Sequence, residues 1–359
     1  MTAAAGLSRT FWSGRRVFVT GHTGFKGGWL MGLLQRLGAD AHGYALAPPS
    51  EPNVFTAADV SRFGSSTIGD IRDGARLAAA MADAAPEIVL HLAAQALVRP
   101  ARANPVETFS TNVVGTAQVL DAVRAAPGVT ACVVVTSDKV YDNVEWPWAY
   151  RETDRMGGKE PYGASKACTE LVVESYRASY FSGDGHTALL ASARAGNVIG
   201  GGDWAEDRLI PDAVRAFSTG GSLTIRNPSS VRPWQHVLEP LSGYLRLAEA
   251  LATGVSLPAP LAYNFGPAAD DAVPVRVIAD EIASRWSDGA SWSHDTRFQP
   301  YEARLLEVDS AKARTLLGWQ PRWRLAQALD RTIDWYKAFY AGHDMHDFTQ
   351  RQIDEYLNG

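Results

Sequence analysis

The sequence predicts an α/β protein built on a doubly wound parallel sheet, with a smaller α/β domain appended for substrate binding. Three observations lead there. Arg16 to Thr20 is a short apolar strand that breaks into a glycine turn and then a helix. Apolar runs of strand length then alternate with helical patterns as far as Ala193, the rhythm of βαβ units. Beyond about residue 199 the alternation loosens. The expected division is therefore a nucleotide domain of residues 1–199 plus about 234–268, and a substrate domain of about 200–233 plus 269–359.

The first strand, R-V-F-V-T, opens into G-H-T-G-F-K-G-G. Trp29, Leu30, Leu33, Leu34 and Leu37 then form a helical stripe, with Gly38 as its stop. Gly21, Gly24 and Gly27 read G-x-x-G-x-x-G at the first strand–helix junction. Glycines there let backbone N–H groups approach a pyrophosphate, and the helix N-terminus adds about half a positive charge. This is the Rossmann arrangement. Ala41 to Leu46 is the second strand, and no carboxylate closes it for a ribose hydroxyl. NAD over NADP is therefore not secured at this position. A strand ending at Asp70-Ile71 would flank an adenine, although Asp70 reads equally well as a turn residue; Asp73 caps the next helix. Ile88 to Leu92 is a buried strand, and the small residues Ala93 and Ala94 leave room for a ligand at its end.

Pro105 to Ala125 reads as one long helix with Asn112 inside it. A mid-helix Asn is locally unfavourable, and it is expected to hydrogen-bond backbone near the site. Ala131 to Thr136 is a strand ending in Ser137, Asp138 and Lys139, and ligands in open α/β sheets lie outside such ends. A helix Tyr162–Tyr180, a strand Thr187–Ala193 and the loop R-A-G-N-V-I-G-G-G-D-W follow. Later come helices over Arg208–Ser218, Gln235–Leu251 and Val275–Trp286, a polar loop over Arg226–Trp234 and a strand Ala262–Phe265. Leu325–Tyr340 is read as the terminal amphipathic helix.

Tyr162 and Lys166 stand four apart at a helix start and share one face. A free tyrosine has a pKa of about 10, so roughly one in a thousand is ionised at pH 7. Lowering that by ~3 units takes about 4 kcal/mol of phenolate stabilisation, which a nearby cation in a dry site supplies. The pair is thus a proton-transfer device.

Composition narrows the rest. The chain has 359 residues, 46% of them hydrophobic, and a formal charge of -5, which disfavours a nucleic-acid surface. No apolar run approaches the ~20 residues that span a bilayer. The start M-T-A-A-A-G-L-S-R-T has no apolar signal core, so secretion is not expected. Cys132 and Cys168 lack C-x-x-C spacing and read as reduced thiols of a cytoplasmic protein. No His/Cys/Glu cluster has metal-ligand spacing; His91 and His236 read as packed or hydrogen-bonded histidines, and no metal is expected.

With these motifs in place the chain resembles the extended short-chain dehydrogenase/reductase superfamily over essentially its full length. The resemblance rests on G-x-x-G-x-x-G, on H-L-A-A, and on Ser/Thr with Y-x-x-x-K. More narrowly it is similar to the CDP-glucose 4,6-dehydratases. The stretches G-H-T-G-F-K-G-G-W-L, T-S-D-K-V-Y-D-N, E-P-Y-G-A-S-K, R-A-G-N-V-I-G-G-G-D-W and V-R-P-W-Q-H-V-L-E-P-L carry that closer likeness. The resemblance implies NAD, a nucleotide-sugar substrate such as CDP-glucose and a 4-keto-6-deoxy product. It also implies a soluble homodimer or homotetramer serving deoxysugar synthesis for surface glycans such as lipopolysaccharide. For the cofactor it implies Gly21, Thr23, Gly24, Phe25, Lys26, Gly27, Asp70, Ile71, Leu92, Ala93 and Ala94, joined by Tyr162 and Lys166. For the substrate it implies Asn112, Asn197, Arg208, Leu209 and Arg232.

Such a reaction oxidises the sugar at C4, which acidifies C5–H, and water then leaves from C6. Tyr162 fits the base at O4–H, with Ser137 holding that oxygen, Asp138 the acid at C6, and Lys139 the C5 base or its partner. The better-known dehydratases carry Asp-Glu where this chain has Asp138-Lys139. A charged Lys139 would lower the pKa of Asp138, which is wrong for an acid. Burying two charges costs several kcal/mol per ion, so a neutral pair of protonated Asp138 and free-amine Lys139 is the expected state. Two alternatives share the frame: a dehydratase for a longer sugar such as a heptose, and a nucleotide-sugar 4-epimerase. An epimerase has no use for acid and base groups at C5 and C6. A cofactor-sensing binding protein has no reason to keep Tyr162, Lys166 and Asp138 together.

Overall fold

The structure is a computed structural model that describes residues 6–182, 188–287, 289–297 and 303–359. Its centre is a seven-stranded parallel sheet: β1 (Arg16–Thr20), β2 (Asp40–Ala45), β3 (Ser65–Ile68), β4 (Ile88–His91), β5 (Ala131–Val135), β6 (Leu189–Ala195) and β7 (Ala262–Phe265). The spatial order is β7-β6-β5-β4-β1-β2-β3. Chain order reverses between β1 and β4, where Thr20 pairs with His91. A crevice opens at the carboxyl ends of strands at such a switch point, and ligands bind there.

Side chains alternate across the sheet. Val17, Val19, Ile88, Leu90, Val133 and Val135 join one core, while Phe18, Val89, Cys132 and Val134 join the other. Period-two alternation with apolar residues on both faces is what a sheet covered by helices requires. The helices are α1 (Phe25–Arg36), α2 (Gly74–Ala84), α3 (Gly115–Arg124), α4 (Pro161–Tyr180), α5 (Leu209–Ser218), α6 (Leu238–Ala252), α7 (Val275–Trp286), α8 (Leu325–Tyr340) and α9 (Met345–Asn358), with shorter ones between. Asp73 caps α2 by accepting from Arg76 N–H at 3.1 Å. Glu160 caps α4, accepting from Tyr162 and Gly163 N–H.

Several boundaries differ from those expected. β3 stops at Ile68, two residues before Asp70, because the chain turns there so that Tyr44 Oη can donate to the Asp70 carbonyl. The long helix from Pro105 is interrupted by a π-helical turn, Ser110–Val114, centred on Asn112. β6 begins at Leu189 and runs to Ala195, so it starts and ends later than read; Thr187 lies outside the described residues. The polar loop Arg226–Trp234 contains a strand, Val231–Pro233, paired antiparallel with Ala272–Pro274. Gln235 and His236 form a bridge strand to Val198–Ile199, so α6 starts only at Leu238.

Leu325–Tyr340 is not terminal, because α9 follows it. Gly32 of α1 leaves space for Ile353 of α9, where a Cβ would come within 2.9 Å of Cδ1. The Trp335 ring of α8 lies over Gly201. Of the two C-terminal helices, α9 thus packs against α1 of the nucleotide-binding half, while α8 covers the loop after β6.

Candidate functional site

The glycine turn is held by contacts that exclude larger side chains. A Cβ on Gly27 would sit 2.1 Å from the Gly21 carbonyl oxygen, and one on Gly21 would sit 2.7 Å from Ala93 N. Gly21 also has φ +82°, a left-handed conformation suited to glycine. The loop after β1 thereby touches the loop after β4 across the switch point. No side chain caps the α1 N-terminus, so its first N–H groups stay available to an anion. Thr23 Oγ1 donates to the Leu46 carbonyl at 2.8 Å and ties the loop to β2. The Phe25 ring packs beside Gly200. Leu92 and Ala93 donate their N–H groups to Thr20 Oγ1 at 3.2 and 3.1 Å, and Ala94 follows partly exposed. This cradle fits a dinucleotide.

The adenine side is more ordinary. Arg72 grips the Asp70 carboxylate at 2.6 and 3.0 Å and holds it below the usual range, so the turn reading describes this side chain. Ile71 is buried in the second core against Gly115.

The Ser137–Lys139 turn and the start of α4 face each other. Ser137 Oγ donates to Asp138 Oδ1 at 3.0 Å and lies close enough to the Tyr162 phenol to pull its pKa down. Asp138 is 4% exposed, and its other oxygen, Oδ2, is buried without a hydrogen-bond partner. Gly196 makes room for it, since a Cβ there would sit 2.8 Å from Oδ2. Burial raises the Asp138 carboxyl despite the opposing pull of Lys139, of the Ser137 hydrogen bond, and of Arg232 and Lys26. The acid half of the expected neutral pair is therefore favoured by geometry.

The tyrosine differs from expectation. Burial pushes Tyr162 up to about 12, where the sequence argument wanted it lowered. The Lys166 amine donates to the Val135 carbonyl at 3.1 Å, and burial brings it down to about 8. The charges that act on the phenol are Asp138, Glu160 and the cation of Arg208, which alone of the three favours the phenolate. Lys26, expected only at the cofactor, is a second departure. Its amine lies 3.5 Å from Tyr244 Oη, and burial, with Arg208 and Lys166 nearby, lowers it to about 7. Its position one step before Gly27 was legible; its reach to Asp138 was not, because Tyr244 arrives from α6.

Two of the substrate candidates, Arg208 and Arg232, carry charge toward Tyr162 and Asp138. Arg208 precedes α5 and pairs with Asp203 at 2.7 Å, with Leu209 beside it as the first helical residue. Arg232 is 7% exposed and donates to the carbonyls of Val231 and Ala303 at 2.9 and 2.6 Å. The Asn197 carbonyl accepts from Gln235 N–H at 3.1 Å, and its side chain is half-buried. Asn112 hydrogen-bonds backbone beside the site, as expected of it. Its Oδ1 accepts from Gln95 N–H, and Nδ2 donates to the Gln95 carbonyl and to Ser165 Oγ. At 1% exposure it clamps the loop after β4 to α4 and has no N–H left for a sugar.

His91 bridges Thr20 and Thr116 and is lowered to about 3 by burial, as a packed neutral histidine would be. His236 lies between the rings of Trp29 and Trp323. No group of three His, Cys, Asp or Glu side chains suited to a metal occurs among the described residues. Trp146 stacks on Tyr150, while Trp148 stands 69% exposed.

Residues 18–332 match the family model described as GDP-mannose 4,6 dehydratase. The chain belongs to that family. Among its relatives is the CDP-glucose 4,6-dehydratase of Salmonella typhimurium, 49% identical over 98% of this chain and 99% of that protein. The dTDP-glucose 4,6-dehydratase of Streptomyces antibioticus is 29% identical over 75% of each chain. The family's fold is shared by the UDP-glucose 4-epimerase of Brucella ovis, solved in complex with NAD. That structure has a TM-score of 0.76 and 24% identity over 88% of this chain and 96% of its own.

Proposed function

We propose that the protein is a CDP-glucose 4,6-dehydratase, a hydro-lyase that converts CDP-D-glucose to CDP-4-dehydro-6-deoxy-D-glucose and water. The observation that carries this reading is the buried Asp138 carboxyl, raised by burial, bonded to Ser137 and close to the Tyr162 phenol. An oxidation site with a protonated acid beside it is what elimination requires and what epimerisation does not. The identity to the Salmonella typhimurium relative supplies the cytidine nucleotide and the glucose.

The glycine cradle, with Leu92 and Ala93 opposite it, would hold NAD. Bound there, NAD would supply the hydride acceptor and donor that the reaction needs. Ser137 orients the sugar O4 hydroxyl, and Tyr162 takes its proton as the phenolate, the form that burial disfavours and the facing cation of Arg208 favours. Lys166, beside them on α4, adds positive charge. Lys139 removes the proton from C5, which the new ketone has acidified, and returns a proton there once C6 has taken the hydride. Asp138 gives its proton to the C6 hydroxyl, which leaves as water. Lys26 faces Asp138, and near neutrality a large share of it is the free amine. Arg232, Asn197 and Leu209 receive the nucleotide diphosphate in this reading; guanidinium forks suit phosphate oxygens.

The segments 200–233 and 269 onward form the substrate-binding part in this reading, with α9 also bracing α1. Val106, Val114, Leu171 and Tyr180 are exposed apolar residues on the helices preceding β5 and on α4. A second copy covers them in a homodimer. The two free cysteines fit a reducing cytoplasm.

CDP-, dTDP-, UDP- and GDP-glucose, assayed side by side with NAD, test the proposal. The 4-ketosugar is read from its ultraviolet absorbance in alkali. Conversion of CDP-glucose well ahead of the others is expected. A product without that absorbance, an epimerised sugar, would overturn it.

A further inference from the structure

The mechanism above leaves the buried carboxylate of Glu170 without a task. Glu170 lies two turns along α4 from Tyr162, so Tyr162, Lys166 and Glu170 form one stripe at i, i+4 and i+8. Its carboxylate is 5% exposed. It accepts from Thr136 Oγ1 at 2.5 Å, Ser192 Oγ at 2.6 Å, and Arg194 Nε and Nη2, both at 2.9 Å. Arg194 continues to Tyr141 Oη at 2.9 Å, and Tyr141 to Asn264 Oδ1 at 2.7 Å. Thr136 is the residue immediately before Ser137. One carboxylate therefore joins the end of β5, the middle of β6 and the catalytic helix.

A buried ion pair is weak evidence for stability, because well-packed apolar residues often replace one at no loss. The surroundings of Lys166 suggest another use. Its amine faces the Val135 carbonyl from β5, His91 from β4 and Lys26 from α1. His91 is neutral and Lys26 is basic, so neither favours a charge on Lys166. Glu170 is the group that does. Facing Glu170 in turn are Arg194 and Ser192 from β6, Thr136 from β5 and Arg177 from its own helix.

We infer that Glu170 is a positioning residue of the catalytic site: it fixes the Ser137–Asp138 turn against α4 and holds the positive charge on Lys166. This rests on the dehydratase reading above. Glu170 touches neither sugar nor cofactor in it and acts through Thr136 and Lys166.

Two variants test it, Glu170→Gln and the paired Glu170→Gln/Arg194→Met, which leaves no unpaired buried charge. Turnover of CDP-glucose is followed across pH, and folding is checked by circular dichroism. Removing the carboxylate releases the Lys166 proton at lower pH, so the alkaline limb of kcat moves to lower pH. A displacement of one unit makes either variant about tenfold slower than wild type above the limb and nearly equal below it. KM stays within about threefold. The Lys166 amine, 13C-methylated and titrated by NMR, shows the same displacement without turnover. A wild type inactive on CDP-glucose would count against the functional reading alone, since the NMR titration still decides this one. An unmoved Lys166 titration in a folded variant overturns the inference. Failure of both variants to fold overturns it too, by marking the pair as structural.

Discussion

Asp138→Asn separates the two halves of the proposed reaction. The amide keeps an acceptor for Ser137, which now donates to Oδ1 at 3.0 Å, so the Ser137–Tyr162 contact survives. What disappears is the proton at Oδ2, the oxygen buried with no protein partner and crowded by Gly196. A positioned general acid contributes about 10²–10⁴ in rate. At about 1.36 kcal/mol per tenfold, that is about 2.7–5.4 kcal/mol of barrier on the elimination step. Oxidation at C4 does not use this proton and should change by less than about threefold. Stopped-flow absorbance of reduced nicotinamide reports the first half, and alkaline absorbance of the ketosugar reports the second. The variant should reduce bound NAD on mixing with CDP-glucose and then stall. Dehydration at the wild-type rate would refute the acid assignment. Equal loss of both halves would show that Asp138 orients the sugar and is not the proton donor.

Three further predictions follow from packing and charge. Gly27→Ala forces a Cβ to within 2.1 Å of the Gly21 carbonyl oxygen, so the turn must open. Overpacking of this kind costs ~1–3 kcal/mol; a lowered Tm and weakened NAD binding by titration calorimetry are expected, and unchanged values of both would contradict the cradle. His91 is lowered to about 3 in the folded protein from an ordinary 6.5, so the unfolded chain binds the proton first as pH falls. Its contribution is intact above pH 6.5 and is lost between 6.5 and about 3; at pH 5 the loss is about 2 kcal/mol, from 1.5 units at ~1.36 each. Urea unfolding of His91→Gln at pH 7 and pH 5 should show a stability slope about one proton shallower than wild type, and equal slopes would refute it. Leu171→Glu places a charge on a 58% exposed apolar position of α4 and should yield monomers in sedimentation if that face covers a second copy.

Much of the site was legible in the residues themselves. Glycines at Gly21, Gly24 and Gly27 bear their meaning locally, because a strand before them and an apolar stripe after them fix the turn. The i, i+4 spacing of Tyr162 and Lys166 is likewise local, as is the placement of Ser137 and Asp138 at a strand's end. Short irregular pieces were less legible. The π turn at Asn112 answers to Gln95 and Ser165, which lie 17 and 53 residues away, and the strand Val231–Pro233 exists only because Ala272–Pro274 arrives beside it. α9 was missed although its face is amphipathic, since nothing nearby in sequence shows that α1 holds Gly32 open for Ile353.

Periodicity and turn chemistry are near-neighbour properties, and so the sequence by itself determined the parallel sheet, its glycine turn and the placement of Asp138 at a strand's end and Tyr162 at a helix start. Charge states are not near-neighbour properties. Whether Asp138 keeps its proton, whether Tyr162 is raised or lowered, and which amine stands near neutrality depend on how much water each group loses and on which distant charges converge. Those quantities exist only once β5, α1, α4 and α6 close around one volume, and there the tertiary structure reversed the expected direction for the tyrosine and brought Lys26 into the chemistry.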